Sequence, residues 1–114
     1  MPTYAIANLR NVVIGPEIIK YIQRIDTTLK PFGGRFLIHG GEVQILEGSW
    51  TGDLIVIGFP EADTARAWYA SAAYQDILRL RTANSEGDVI LANGVSDTHQ
   101  ATDILTGMEA SGQR

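Results

Sequence analysis

Leu54-Ile55-Val56-Ile57-Gly58-Phe59 runs directly into Pro60-Glu61. A short, nearly continuous apolar run rich in β-branched residues reads as a strand covered by neighbours, central in its sheet. Pro60 pre-sets φ for the first turn of a helix, and Glu61 complements the positive end of its dipole. The same pair recurs as Pro16-Glu17, after a second strand pattern from Thr3 to Val13 in which Tyr4, Ile6 and Asn8 alternate with Ala5, Ala7 and Leu9. A strand followed by a helix is thus written twice, and what lies between the two copies decides the topology.

Working outward, Ile18, Ile22, Ile25 and Leu29 recur at helical spacing and predict one buried stripe. Pro31 and Gly33-Gly34 stop that helix. Arg35 to His39 is a second strand, Gly40-Gly41 a bulge or sharp bend, Val43 to Leu46 a return to extended structure, and Ser49 to Asp53 a hairpin turn. After Pro60-Glu61, the residues Ala65, Trp68, Tyr69 and Ala72 mark the inner face of a second helix. Ser71 is placed to cap a further turn, so a kink is expected there, with Ile77, Leu78 and Leu80 continuing. Gly87-Asp88 turns the chain into a last strand, Val89 to Ala92. The order is βαββαβ: an α+β, ferredoxin-like arrangement with an antiparallel sheet and both helices on one face.

A chain of 114 residues fits one domain, read as residues 1–95 with a tail over 96–114. In the tail Ala101, Ile104, Leu105 and Met108 form a narrow apolar stripe; a short helix docked on a partner and a frayed end are both open. Cysteine is absent, which removes disulfides, thiolate nucleophiles and cysteine-ligated metals. The net charge is −4, and the nine Lys and Arg residues are scattered, so neither nucleic acid nor an anionic membrane is an expected partner. No apolar run approaches the roughly 20 residues of a membrane span, and the first residues lack a signal-peptide pattern, so the cytoplasm is the expected location.

A sheet covered by helices on one face leaves the other face to be accounted for. Tyr4, Ile6, Leu37, Leu54 and Val56 are the candidates for that face. Together they would expose an apolar patch too large for a monomer. A second copy packed sheet to sheet is the economical cover, and a homodimer is expected.

The ordered pieces Gly33-Gly34-Arg35-Phe36-Leu37, Gly40-Gly41, Leu46-Glu47-Gly48-Ser49-Trp50, Phe59-Pro60, Ala67-Trp68-Tyr69-Ala70-Ser71, Tyr74-Gln75 and Arg81 carry a family likeness. The chain resembles the bacterial family known as domain of unknown function DUF1330, within the dimeric α+β barrel superfamily. The likeness runs from about Tyr4 to Gly94; Ala72 and Ala73 stand where the family usually has proline and glutamate. It implies a fold and a dimer, and no settled activity. The superfamily includes cofactor-free monooxygenases, lactone isomerases, polyketide cyclases and haem-handling enzymes, all of which reach this chain only by fold analogy.

Candidate chemistry rests on a few residues. Arg35 and Glu47 form a possible polar pair that orients a substrate or simply braces the bent strand. His39 is placed as a general base, or as a solvated strand residue beside Gly40. Trp68, Tyr69 and Tyr74 make an aromatic wall for a flat ligand, or plain helix-on-sheet packing. Asn8 projects toward the inter-sheet space, and Arg81 either grips a ligand carboxylate or caps its own helix. The catalytic candidates are therefore His39, Tyr74 and Arg35, and the binding candidates Asn8, Glu47, Trp68, Tyr69 and Arg81. With His39 and His99 far apart and no partnered carboxylate, neither a metal nor a cofactor is expected. The expected function is binding or transforming a small apolar or aromatic molecule in a cavity between sheet and helices. A non-catalytic binding or structural dimer is the alternative, and whether the chain is an enzyme stays open.

Overall fold

In the computed structural model, which describes residues 1–106, the first alternating segment forms β1 (Thr3–Arg10). It ends earlier than the alternation predicts, because Asn11 takes a left-handed φ of 52° and turns the chain. Pro16–Leu29 is α1, followed by a single 3-10 turn at Lys30–Phe32. Arg35–His39 is β2, Asp53–Phe59 is β3, Ala62–Ala70 is α2, Ala72–Thr82 is α3 and Glu86–Asn93 is β4. The sheet order is β2-β3-β1-β4 with every pairing antiparallel, so the apolar β3 is central as its composition predicts.

Several boundaries depart from the sequence reading, each for a local reason. The buried face of α1 is Ile18, Ile25, Thr28 and Leu29, with Tyr21 packed against the core beside them, while Ile22 remains 48 % exposed. Val43–Leu46 does not return to extended pairing. Those residues stay exposed because no strand edge within the described chain receives them. The second helical region is interrupted where Ser71 adopts an extended ψ of 147°, which restarts the helical phase and leaves Ala72 exposed and Tyr69 half-exposed. β4 begins before the Gly87-Asp88 pair that was expected to be a turn. Gly87 is needed inside the strand: its φ is 154°, and a Cβ there would lie 2.2 Å from the Asn8 carbonyl oxygen on β1.

The core lies between the helices and one face of the sheet. Ala5, Ile25, Leu29, Ile57, Phe59, Ala65, Trp68, Tyr74 and Ile77 form one buried cluster. Gly34 is close-packed beneath it, since a Cβ there would meet the Phe59 ring at 2.6 Å.

The opposite face carries the other parity. Tyr4, Ile6 and Asn8 pair across to Gly58, Val56 and Leu54 on β3, and to Ala92, Ile90 and Asp88 on β4. Leu37 lies over Gly58, and Ile38 is opposite Val56. No helix covers this face among the described residues, and Ile90 is 55 % exposed. The tail after β4 makes short turns and becomes helical over 103–106, with Ile104 and Leu105 exposed; Met108 of the expected stripe lies outside the described residues. Among the described residues no helix is long and apolar enough to cross a membrane.

Candidate functional site

A cavity of about 50 Å³ lies between the sheet and the helices. The sheet contributes Ala5, Ala7, Ile55, Ile57, Phe36 and His39; the helices contribute Tyr21, Ile22, Ile25, Trp68, Tyr74 and Arg81. His39 reaches this face through a bulge. Phe36 is opposite Ile57 and His39 opposite Ile55, with the register shifting between Phe36 and Ile38. A regular strand would set residues three apart on opposite faces; the extra residue puts them on the same one. The two rings stack at 4.2 Å between centroids and 14° between planes. His39 itself is exposed, at the mouth of the cavity.

The polar groups converge on the helix side. The Tyr21 and Tyr74 hydroxyls are 2.7 Å apart, a hydrogen bond in which either can donate. Their rings meet edge to face at 6.2 Å. The Arg81 guanidinium carbon lies 6.0 Å from the centre of the Tyr21 ring, at the outer limit of a cation–π contact. Arg81 is only 9 % exposed, and no carboxylate among the described residues is within ion-pair distance of it. Burial pushes the Tyr21 phenol far above its usual range, the Tyr74 oxygen adds to this, and Arg81 opposes it more weakly. Burial works against the charge on Arg81, but the oxygens of Tyr74 and Tyr21 outweigh it and hold the guanidinium charged. The chemistry on offer is therefore a guanidinium beside a hydrogen-bonded pair of phenols.

Trp68 supplies a wall and no free donor. Its indole N–H donates to Thr28 Oγ1 at 2.9 Å, and the Thr28 hydroxyl donates onward to the Ile25 carbonyl at 2.7 Å. Its ring packs on Tyr74 at 4.1 Å and on Phe59 at 5.3 Å. Tyr69, on the outer side of Trp68, faces an open groove of about 450 Å³ with Arg66, Ile90 and Leu91. Ala5, Trp68 and Val89 line both the groove and the inner cavity, so the two spaces adjoin.

The structure thus brings together Tyr74, Trp68, Arg81 and His39, with Tyr69 at the groove. It does not gather the remaining candidates there. Asn8 points to the uncovered sheet face, where its Oδ1 is buried without a hydrogen-bond partner. Arg35 is exposed at the start of β2, opposite Gly58. Glu47 is exposed in the excursion that also carries Val43, Ile45, Leu46 and Trp50. No ion pair joins Arg35 to Glu47 among the described residues. No group of three or more potential metal ligands occurs among them either.

Two cavity residues, Tyr21 and Phe36, escaped the sequence reading. The spacing Ile18, Tyr21, Ile25, Thr28 is as helical as the stripe Ile18, Ile22, Ile25, Leu29, and its polar tips were the available signal.

The model of the family described as Domain of unknown function (DUF1330) matches residues 2–95. The chain belongs to this family. Solved structures of the same fold include RPA0582, a protein of unknown function from Rhodopseudomonas palustris, with 14% identity, coverage of 83% of each chain and a TM-score of 0.64. HapK from Hahella chejuensis is 16% identical, with 89% of this chain and 99% of that chain covered and a TM-score of 0.57. SnoaB, a cofactor-independent oxygenase from Streptomyces nogalater, is 15% identical, with 87% and 98% covered and a TM-score of 0.55. Likeness at these identities speaks for the fold and not for the chemistry. Among curated proteins none matches the chain significantly.

Proposed function

We propose that this DUF1330 chain is a homodimer that binds a small apolar or aromatic molecule between its helices and its sheet. The observation that carries the reading is the convergence of Tyr21, Tyr74 and Arg81 in a mainly apolar cavity walled by Ile25, Ile55, Phe36 and Trp68. Apolar walls with a few convergent polar groups are the usual composition of a small-molecule site. The dimer follows from the uncovered apolar face, which a second copy of the same sheet would bury. In this reading the domain is residues 1–95, and 96–114 is an appendage. Tyr74 and Arg81 hold the ligand's polar group, Trp68 and Tyr69 its flat body, and His39 stands at the mouth as the one imidazole available for proton transfer. Asn8 belongs to the inter-sheet space, and Arg35 and Glu47 lie outside the cavity.

The reading commits to binding. Its catalytic version is an oxygenase- or isomerase-like transformation without a cofactor, and SnoaB, described as a cofactor-independent oxygenase, has the same fold. Native mass spectrometry of the full chain, incubated with a mixture of small aromatic compounds, tests both halves. The expected spectrum is a dimer with one adduct per subunit. A monomer would defeat the two-sheet assembly, and a dimer at bare mass throughout would defeat the cavity.

A further inference from the structure

The polar side of the cavity is electrically and chemically unbalanced. Removing a guanidinium from water is costly unless opposite charge and acceptors replace the lost hydration. Arg81 has no opposite charge from the described protein, and its acceptors there are two phenol oxygens. The ion pairs there are Arg10 with Asp88, Arg66 with Asp63 and His99 with Asp103, and none involves Arg81. Its polar neighbours are the Tyr21 and Tyr74 phenols, which bond to each other. In such a pair one hydroxyl donates and the other accepts, so the accepting hydroxyl keeps a proton that the pair does not use. A guanidinium carries five N–H donors and accepts nothing. Donors are therefore in surplus, and the group that would balance them is an anion with several acceptor lone pairs.

The dimensions narrow the choice. About 50 Å³ is more than the roughly 15 Å³ that admits one water, and far less than the ~300 Å³ of a pocket for a whole drug-sized ligand. A carboxylate is small enough for that space, whereas a whole drug-sized ligand extends beyond it. The rest of such a ligand would extend toward the adjoining groove of about 450 Å³, which shares Ala5, Trp68 and Val89 with the cavity. We infer, resting on the small-molecule reading above, that the ligand is an apolar or aromatic carboxylic acid. Its carboxylate sits against Arg81 and the Tyr21–Tyr74 pair, and its body lies along Trp68, Tyr69 and Val89. Burial keeps the Tyr21 phenol protonated, so it serves the anion as a donor and does not compete with it.

The test compares benzoate, the neutral benzamide and the hydrocarbon naphthalene, by titrating the tryptophan fluorescence of the full-length protein at neutral pH. Charge-assisted hydrogen bonds are about twice as strong as neutral ones, so benzoate is expected to bind roughly tenfold or more tightly than benzamide. Arg81→Gln should erase that preference and leave naphthalene binding in place. Tyr74→Phe keeps the ring and should weaken benzoate several-fold relative to naphthalene, a second readout should Arg81→Gln fail to fold. Equal affinity for benzoate and benzamide, with naphthalene still bound, overturns the anion site and leaves the cavity reading standing. A benzoate preference that survives Arg81→Gln also overturns it, since the anion then sits elsewhere. Failure of all three probes overturns both the inference and the reading beneath it.

Discussion

Tyr21 is the residue on which the site turns. It stands three positions after Ile18 and four before Ile25, so the helix aims it at the sheet, and its hydroxyl meets Tyr74 from a helix 53 residues away in sequence. Burial raises its pKa above the unfolded phenol value of 10.0. A raised folded-state value means that the folded chain holds this proton after the unfolded chain has begun to lose it. The associated stability is fully present below pH 10 and declines as pH rises beyond it. Denaturant unfolding at pH 9 and pH 11 should therefore show a fall in stability that is smaller in Tyr21→Phe than in the parent chain. Equal falls would mean that the phenol ionises as freely inside the fold as outside it. Thr28 shows the same economy of polar groups: it accepts from Trp68 and donates to Ile25, so the indole N–H in the core is satisfied without solvent.

Two interruptions position the site at the level of elements. At Ser71 the backbone leaves helical geometry, and the side chain caps the next helix by accepting the Tyr74 N–H at 3.3 Å. The same hydroxyl donates to the Trp68 carbonyl at 2.7 Å, closing the end of α2. The break therefore holds the Trp68 and Tyr74 rings in contact, 4.1 Å apart and tilted by 42°. Ser71→Ala should lower stability by about 1 kcal/mol, the usual worth of an N-cap, seen as a reduced urea midpoint at unchanged slope. An unaltered midpoint would show that the break is held by packing alone. The second interruption is the bulge in β2, which carries His39 to the cavity side with Phe36. The Ser71 cap was legible because serine before a helical pattern is a local signal. The bulge position was only partly legible: Gly40-Gly41 advertised an irregularity, whereas the pairing with β3 places it between Phe36 and Ile38.

For the whole molecule the uncovered sheet face matters most. Ile6, Val56, Ile38 and Ile90 lie across three pairings of the four-stranded sheet, with Asn8 at one end. In the isolated chain a lysine at Ile90, which is 55 % exposed, would keep its ammonium in water. Between two packed sheets the same ammonium would be buried without a partner, at a cost of several kcal/mol. Ile90→Lys should accordingly shift sedimentation velocity from dimer to monomer while leaving the circular dichroism spectrum unchanged. A variant that still sediments as the parent chain does would remove this face from the assembly.

Residue order alone determined that this chain alternates strand and helix as βαββαβ, that β3 is central, and that Trp68 and Tyr74 flank a helical break. Each of these follows from periodicities of two and 3.6 residues and from the conformational limits of proline, glycine and serine, all of which act within a few positions. Only the tertiary structure decided that Tyr21 is more deeply placed than Ile22, that Arg35 and Glu47 stay apart, and that Arg81 is buried beside two phenols without an acid among the described residues. Those outcomes depend on the rotation of α1 over the sheet, on a strand register and on the docking of α3 against α1. They are settled by packing between segments distant in sequence, which no local pattern encodes.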